Sequence, residues 1–329
     1  MKVLVTGATG FIGSRLSVRL REKGHQVVAL GQTNNALEAS RFAELSKSGV
    51  QSTDTSLFDE DKLRWAIQGC ERVFHLAAAQ HEANVPESHF RKVNVDGVRV
   101  LLELSIAEGV KRFVHGSTIG VYGQATESAL DEESPTNPQN IYGITKLEGE
   151  KLALSYSDRI FVTAVRISET YGPGDGRLLK LFRAVDKGSF VMIGSGGNRR
   201  QLIHVDDLID GLWLAGDTEK ARGEVLVVAG NEVLTTEQTV QIIAQTLGRD
   251  TRSWHLPMLP FLWLAWILEQ TLGRLGIQPP LHRRRLDFFR KSFVFDTRKA
   301  EQVLGFIPRI TFAEGAKDTA EWYRSRGQL

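Results

Sequence analysis

The sequence predicts an α/β fold, with a doubly wound parallel sheet followed by a smaller carboxyl-terminal α/β domain. Apolar runs typical of buried strands alternate with amphipathic helical segments over the first half of the chain. This alternation is typical of a parallel sheet with helices on both faces. A glycine-rich turn joins the first apolar run to the first helical segment, a frequent arrangement in such sheets. The 329 residues are enough for one large domain or two joined ones.

The composition indicates a soluble globular protein, with 42% hydrophobic and 24% charged residues. A formal net charge of +2 is too small to predict a nucleic-acid partner, and we predict no metal site. Cys70 is the single cysteine, so an intrachain disulfide is excluded. A strand pattern that begins at Lys2 leaves no room for a signal peptide. We therefore expect a cytoplasmic protein.

The first element is a strand over residues 2–6, which is followed by Gly7, Gly10 and Gly13 and then by a helical pattern through about residue 23. A strand, a glycine turn and a helix together aim backbone N–H groups and the positive helix end at a pyrophosphate. The spacing departs by one residue from the Gly-x-Gly-x-x-Gly fingerprint, so a purely structural turn is the alternative. The context favours a Rossmann-type dinucleotide site.

The second strand, over residues 25–30, leads to the position that meets the adenosine ribose in such domains. An acid there binds the 2′-hydroxyl of NAD, whereas a nearby arginine accommodates the 2′-phosphate of NADP. Residues 31–35 contain neither an acid nor a base, and Gln32 is the candidate for the ribose contact. The sequence therefore leaves the choice between NAD and NADP open.

Further strands are predicted at residues 50–52, 72–76 and 112–115, with amphipathic helices near 59–68 and 93–108. Ligands of a parallel sheet gather at the carboxyl ends of its strands. Three segments are candidates by position: the turn after Gly7, residues 76–79 and residues 116–118.

Tyr142 and Lys146 lie four residues apart at the start of a predicted helix, so they share one helical face. A phenol with an ordinary pKa of about 10 is a weak acid and base at neutral pH. A neighbouring ammonium group favours the phenolate and is expected to lower the pKa of Tyr142 into a useful range. The pair predicts a proton-transfer device, with an ordinary solvated helix face as the alternative.

Eight motifs occur in the order seen in extended short-chain dehydrogenases/reductases. They are residues 6–13, Asp54, residues 75–78, residues 94–97, residues 117–123, Tyr142 with Lys146, Arg166 with residues 171–174, and Arg200 with residues 204–207. Across essentially the whole chain, the sequence resembles the NAD-dependent epimerase/dehydratase family.

The resemblance implies a catalytic triad. Thr118 takes its Ser/Thr place, Tyr142 is the acid/base, and Lys146 binds the nicotinamide ribose and tunes the tyrosine. The residues implied to contact the dinucleotide are Gly7, Thr9, Gly10, Phe11, Ile12, Gly13, Gln32, Asp54, Leu76, Ala77, Ala78, Asn94, Tyr142 and Lys146. The alternatives are a strand-end turn for Thr118, a helix cap for Asp54 and a capping role for Asn94.

One departure from the family pattern concerns the reaction. Sugar 4,6-dehydratases of the family carry an Asp-Glu pair directly after the catalytic threonine, where this chain has Ile119 and Gly120. That pair removes and returns protons during elimination. The departure counts against 4,6-dehydration and leaves epimerisation, alcohol oxidation or carbonyl reduction.

The second half is expected to recognise the substrate. We predict a dinucleotide-binding domain over residues 1–168, completed by about 201–216, and a mainly substrate-binding domain over residues 169–329. In nucleotide-sugar enzymes of the family, an arginine at the position of Arg200 clasps the diphosphate. Glu169 stands where an asparagine is usual, and its carboxylate would repel a diphosphate unless it is paired or protonated.

The predicted substrate contacts are Gln80, His81, Glu169 and Arg200. For Glu169, a bond to a sugar hydroxyl is one alternative. An ion pair with Arg166 or Arg200 is the other. For Arg200, the alternatives are an exposed loop charge or an ion pair with Asp206 or Asp207.

A Trp-rich apolar helix is predicted over residues 256–275, before a basic stretch that ends at Lys291. The apolar run is too short to span a membrane. Three interpretations are open: an interfacial helix that contacts anionic lipid through residues 256–291, an apolar lid over the substrate, or a buried helix. The stretch also resembles the 3β-hydroxysteroid dehydrogenase and dihydroflavonol-reductase branch, whose substrates lack a nucleotide.

We therefore predict an NAD(P)-dependent oxidoreductase or epimerase acting at a hydroxyl or carbonyl carbon. A nucleotide-linked sugar is preferred over an apolar alcohol or ketone, because Arg200 favours the sugar while Glu169 and the Trp-rich helix favour the alternative. A dinucleotide-binding regulator without catalysis is a third hypothesis, and the presence of all three triad residues counts against it. The resemblance also implies a homodimer packed through residues 93–108 and 142–155.

Overall fold

The computed structural model describes residues 1–80, 85–123, 128–250, 254–271 and 286–329. The strands are β1 (Lys2–Thr6), β2 (Gln26–Gly31), β3 (Gln51–Asp54), β4 (Arg72–His75), β5 (Arg112–Thr118), β6 (Phe161–Ile167), β7 (Thr170–Tyr171), β8 (Val191–Ile193), β9 (Arg199–Arg200), β10 (Ile203–His204), β11 (Val225–Val228), β12 (Leu234–Thr235) and β13 (Trp254–Leu256).

The α-helices within those residues are α1 (Phe11–Glu22), α2 (Ala36–Lys47), α3 (Glu60–Ile67), α4 (Glu87–Arg91), α5 (Gly97–Ala107), α6 (Ile141–Leu154), α7 (Leu179–Asp186), α8 (Val205–Asp217), α9 (Thr236–Leu247), α10 (Met258–Thr271), α11 (Arg298–Leu304) and α12 (Phe312–Ser325). A π-helical segment, Lys92–Asp96, precedes α5, and short 3₁₀ turns lie at Ile119–Val121, Glu219–Ala221 and Asp287–Phe289.

Seven strands form a parallel sheet in the order β11-β6-β5-β4-β1-β2-β3. Successive residues of a strand point to opposite faces, and the core divides accordingly. Val3 and Val5 of β1 join one buried cluster together with residues of α1 and α8. Leu4, between them, joins a second cluster with residues of α3 and α5. The sheet is covered on both faces, which confirms the predicted doubly wound Rossmann-type fold.

The carboxyl-terminal half adds a smaller core in which Tyr171, Phe182, Phe312 and Tyr323 pack against residues of α9. The Tyr323 hydroxyl donates a hydrogen bond to the Asp175 carbonyl at 2.6 Å, which joins α12 to the loop after β7. Three two-stranded pairs, β7–β10, β8–β13 and β9–β12, lie in this half. Because β11 and α8 from the second half pack on the main sheet, the chain crosses between the two regions more than once. The predicted domain limits stay a prediction.

The Trp-rich segment differs from its prediction at the start. Residues 254–256 pair with β8 as a strand, and the helix begins only at Met258 after Pro257. The predicted end at residue 275 lies outside the described residues. In the part of the chain that the structure describes, no helix is long and apolar enough to cross a membrane.

Candidate functional site

The glycine turn between β1 and α1 is shaped by close backbone approach. Gly7 has a φ of +68°, and a Cβ there would lie 2.6 Å from the Ala77 nitrogen. A Cβ on Gly13 would lie 2.3 Å from the Gly7 carbonyl oxygen, so both positions require glycine. Gly10 is the N-cap of α1, and within the described residues no side chain caps this helix. The first-turn N–H groups of α1 are therefore left for an anion.

A cavity of about 1000 Å³ opens at this turn. The residues predicted for the dinucleotide that line it are Gly7, Thr9, Gly10, Phe11, Ile12, Gly13, Gln32, Leu76, Ala77, Ala78, Tyr142 and Lys146. Thr118 and the predicted substrate residue Gln80 also line it. The cavity thus joins the turn to the ends of β4 and β5 and to α6, and its size and its glycine cradle suit a dinucleotide.

Two of the predicted dinucleotide contacts lie outside the lining within the described residues. The Asp54 carboxylate accepts a hydrogen bond from the Thr33 hydroxyl. The buried Asn94 side chain accepts a hydrogen bond from the Ala79 nitrogen at 2.8 Å and donates one to Thr145 Oγ1 at 2.9 Å. Asn94 therefore fixes the backbone of the cavity wall. The bonds given above for Asp54 and Asn94 differ from the helix-capping roles that were the alternatives for these two residues. The predicted substrate residue His81 lies outside the described residues.

The three predicted catalytic residues come together where α6 crosses the end of β5. The Thr118 side chain lies beside the Tyr142 phenol and favours its ionised form, and Lys146 Nζ donates a hydrogen bond to the Gly116 carbonyl at 2.6 Å. One turn further along α6, Glu150 Oε2 accepts one from Ser117 Oγ at 2.5 Å. Residues 142, 146 and 150 recur at helical spacing, so one stripe of α6 faces three successive residues of β5.

The electrostatics of the pair differ from the sequence prediction. Burial raises the pKa of the Tyr142 phenol above its ordinary value, against the opposing effects of the Thr118 hydrogen bond and the charge of Arg177. This direction is opposite to the predicted one. Burial lowers the pKa of Lys146 to about 8, while the charge of Glu150 acts in the other direction. Desolvation of both side chains therefore outweighs their neighbouring charges in this structure.

Glu150 is a functional candidate that the sequence analysis missed. Its carboxylate accepts two hydrogen bonds from Arg166, at 2.8 and 3.1 Å, and both side chains are buried. Arg166 also donates to the Tyr122 hydroxyl at 3.0 Å. The position of Glu150, eight residues after Tyr142, was the available sequence signal, because a third helical turn on the same face meets the same strand.

Arg177 and Glu38 were also missed, and both line the cavity. Arg177 donates to Asp175 Oδ1 at 3.2 Å and to the Thr170 carbonyl. Glu38 lies in the first turn of α2 and accepts a hydrogen bond from the Asn34 nitrogen at 2.9 Å. Glu38 lies three residues after the 31–35 stretch. The sequence analysis considered only the end of the second strand and therefore did not include Glu38.

Arg200 and Glu169 form an ion pair, one of the alternatives raised from the sequence. Arg200 Nε donates to Glu169 Oε2 at 2.9 Å, and a second guanidinium nitrogen donates to both carboxylate oxygens. Arg200 Nη1 donates to the Phe288 carbonyl at 3.0 Å, and the guanidinium lies 4.4 Å from the centre of the Phe288 ring. Asp206 instead pairs with Arg15 at 2.8 Å. Within the described residues, neither Arg200 nor Glu169 lines the cavity.

A doubly wound parallel sheet with a glycine-turn cavity at the carboxyl ends of its strands defines a Rossmann-type nucleotide-binding protein. More specifically, the chain belongs to the NAD dependent epimerase/dehydratase family, whose model matches residues 3–229. This confirms the family predicted from the eight motifs.

Named relatives match along nearly the full chain. A dTDP-glucose 4,6-dehydratase of Streptomyces niveus is 31% identical over 341 residues, covering 98% of this chain and 93% of the relative. A UDP-glucose 4-epimerase of Mycolicibacterium smegmatis is 31% identical over 348 residues, covering all of both chains. The solved structure of MoeE5 in complex with UDP-glucose and NAD is 27% identical, with a TM-score of 0.75 and 99% of each chain covered.

These comparisons correct one expectation. Ile119 and Gly120 predict that the protein does not catalyse 4,6-dehydration. However, a relative named as a dTDP-glucose 4,6-dehydratase aligns with almost the whole chain. The prediction against 4,6-dehydration is therefore not supported. The family is enzymatic, and its named members here are nucleotide-sugar epimerases and dehydratases.

Proposed function

We propose that this protein is an NAD-dependent enzyme that oxidises and reduces a hydroxyl-bearing carbon of its substrate. The observation that carries the proposal is the meeting of Thr118, Tyr142 and Lys146 with the glycine turn in one cavity. A proton-transfer group beside a dinucleotide cradle is what such chemistry needs.

Each triad residue has a role in this proposal. Tyr142 takes the proton of a substrate hydroxyl during oxidation and returns it during reduction, while Thr118 holds the same oxygen by a hydrogen bond. Lys146, with a pKa of about 8, is mostly protonated at neutral pH and offsets the charge of a Tyr142 phenolate. When bound, NAD would supply the hydride acceptor for oxidation and the donor for reduction.

We propose NAD rather than NADP as the cofactor. The glycine cradle and the uncapped start of α1 would hold the pyrophosphate. The Glu38 carboxylate lines the cavity beside residues 31–35, where it would repel a 2′-phosphate. The complex of MoeE5 contains NAD. Titration of the protein with NADH and NADPH, followed by fluorescence, tests this choice, and equal affinity for the two would refute it.

For the substrate we propose a nucleotide-linked sugar. The substrates in the names of the relatives support this class, and Arg200 supplies a bidentate cation of the kind that binds diphosphates. A diphosphate would have to displace the Glu169 carboxylate from Arg200, since that pair is formed in the structure.

An apolar alcohol or ketone is the second candidate, and the Arg200–Glu169 pair is the observation that favours it. An arginine already neutralised has less to offer a phosphate. A thermal-shift panel separates the two, because a ligand that binds the native state raises its melting temperature. UDP-, dTDP- and GDP-sugars are compared with steroids in the presence of NAD. Stabilisation by a sugar nucleotide supports the first class, and stabilisation by steroids alone refutes it.

A further inference from the structure

Helix α10 presents an apolar face to solvent. Leu259, Trp263 and Trp266 are 69%, 65% and 45% exposed, and Leu264 and Ile267 are also exposed. At about 100° per residue these positions cover roughly half of the helix circumference. Ala265 is the one fully buried residue of this helix. A helix that only packs on a core carries its polar residues on the outer face, whereas the outer face of α10 is apolar.

Two interpretations of the Trp-rich segment disagree with this geometry. A buried helix would hide its tryptophans, whereas Trp263 and Trp266 stand exposed with their rings 5.9 Å apart. A lid over the substrate would border the cavity, yet none of the described residues 254–271 lines it. The interpretation as an interfacial helix is the one left.

The apolar surface continues onto the neighbouring strands. Trp254 of β13 pairs in register with Val191 of β8, and both side chains are exposed, Trp254 by 79%. Leu256 of the same strand is exposed as well. We call the surface formed by these side chains the α10 face; its members are Val191, Trp254, Leu256, Leu259, Trp263, Leu264, Trp266 and Ile267. An apolar area of this kind on a soluble protein marks a binding surface.

The sequence segment that carries α10 is predominantly basic. The Phe190 and Phe289 rings lie 6.4 Å apart, so the segment that continues to Arg290 and Lys291 contacts the residue before β8. Lys291 pairs with Asp287 at 3.1 Å. In the sequence, residues 254–291 contain six Lys or Arg residues and two Asp or Glu residues. Cations at the border of an apolar surface attract anionic lipid headgroups.

We propose that the α10 face docks on an anionic lipid surface. Tryptophan side chains are favoured at the boundary between headgroups and acyl chains, and an apolar helix face of this width can be buried there with its axis in the membrane plane. The 14 residues of α10 are too few to cross the bilayer. The protein would therefore lie on the membrane, and this proposal is independent of the reaction it catalyses.

Sedimentation with sucrose-loaded vesicles tests the proposal on the full-length chain. Vesicles of phosphatidylcholine alone are compared with vesicles that also contain phosphatidylglycerol. We expect the protein to sediment with the anionic vesicles, and less at high salt because the headgroup attraction is screened. Replacement of both Trp263 and Trp266 by serine is expected to weaken this binding by at least about tenfold, since two interfacial anchors are lost.

The matched control is Trp65→Ser, because Trp65 is 49% exposed but lies on α3, away from the α10 face. It should sediment like the unchanged protein. NADH binding and the melting temperature verify that each variant is folded. Trp254→Ser gives a second test from β13.

Three results would overturn the proposal. The first is no sedimentation with anionic vesicles, and the second is equal loss in the Trp65 control. The third is an oligomer, seen by size-exclusion chromatography with light scattering, that the Trp263 and Trp266 replacements dissociate while vesicles bind neither form. That last outcome would assign the α10 face to a second copy of the chain.

Discussion

In the glycine-turn half of the candidate site, where the cavity lies, the start of α1 offers backbone N–H groups without a capping side chain. In the Arg200 half, which within the described residues lies outside the cavity lining, the charged groups are already bonded to one another. A Cβ on Gly7 or Gly13 would collide with neighbouring backbone atoms, so the backbone itself forms this part of the site. Arg200 and Glu169 are long side chains that satisfy each other. The first half is ready for a ligand, and the second must exchange an internal partner for one.

This difference bears on how binding energy is distributed. A preformed cradle loses little on binding, since its groups are already placed. A ligand that recruits Arg200 must also leave Glu169 without its partner, and a partly buried unpaired carboxylate is costly. We therefore expect dinucleotide binding to depend on shape and substrate binding to depend on competition for charge.

The largest expected effect concerns Tyr142, the proposed proton carrier in the reaction between the dinucleotide and the substrate. Tyr142→Phe removes the proton carrier and should lower kcat by about 100- to 10,000-fold, with NADH affinity unchanged. Turnover is measured with the substrate selected by the thermal-shift panel. Tyr156→Phe is the control, because the Tyr156 hydroxyl donates to Glu103 outside the cavity lining. Near-normal turnover of Tyr142→Phe would remove the proposed role.

A second variant tests whether dinucleotide binding at the glycine turn depends on the close approach of the backbone. An alanine at a positive φ costs about 1–2 kcal/mol by itself, and Gly7→Ala adds a clash with the backbone at Ala77. We expect loss of NADH binding and a free energy of unfolding reduced by about 1–3 kcal/mol more than in the control.

Gly24→Ala is that control, since Gly24 has a φ of +85° and no atom lies within 4 Å of its added Cβ. Chemical denaturation and NADH titration are compared for the two. Equal behaviour of Gly7→Ala and Gly24→Ala would show that close approach at the turn is not what binding requires.

A third prediction concerns acid stability of the sheet beneath the glycine-turn half. Burial lowers the pKa of His75 to about 3, and lowers that of His115 well below its ordinary value. The unfolded chain takes up these protons below pH about 6.5 while the folded chain does not. Stability should therefore fall as the pH drops from 6.5 towards 3, by up to about 1.4 kcal/mol per pH unit for each histidine.

Removal of one buried imidazole should flatten this dependence. His115→Phe abolishes one of the two linked protonations. Urea denaturation at several pH values between 4 and 7 provides the measurement. A slope that stays the same in His115→Phe would mean that other groups cause the acid sensitivity.

The smallest expected effect sharpens the charge competition in the Arg200 half. Glu169→Gln releases the guanidinium, so the affinity for UDP should rise, by less than about tenfold because the pair is partly exposed to solvent. Asp296→Asn, which breaks the separate Asp296–Arg298 pair, should leave it unchanged. Calorimetric titration of UDP decides. Unchanged or weaker affinity in Glu169→Gln would favour the apolar substrate over the nucleotide-linked sugar.

The sequence predicted the glycine-turn half well because that half depends on local backbone geometry. Strand periodicity and glycine spacing are short-range properties, and they located the turn, the ends of β4 and β5, and the start of α6. Asp54 lies next to the cavity lining, since the residues directly after it line the cavity while its carboxylate accepts a bond from Thr33. Its contact with the dinucleotide stays a prediction.

Contacts between distant residues were beyond the sequence. Glu169 and Arg200 are 31 residues apart, and several partners were chemically possible for each of them. The raised pKa of Tyr142 reflects burial, a property of the packed chain rather than of the spacing to Lys146. The outward orientation of the α10 tryptophans also requires coordinates, because residues 258–268 are all apolar and such a run gives no sequence signal for the inner face of its helix.

The alignment of Tyr142, Lys146 and Glu150 with three consecutive residues of β5 limits how the chain can change length. A deletion of one residue between Tyr142 and Lys146 would rotate Lys146 and Glu150 by about 100° relative to Tyr142, so the three side chains could no longer face β5 at the same time. Substitutions on the opposite side of α6 leave this alignment intact. In a lineage of such proteins, α6 can therefore drift in composition while insertions and deletions are confined to the loops at its ends.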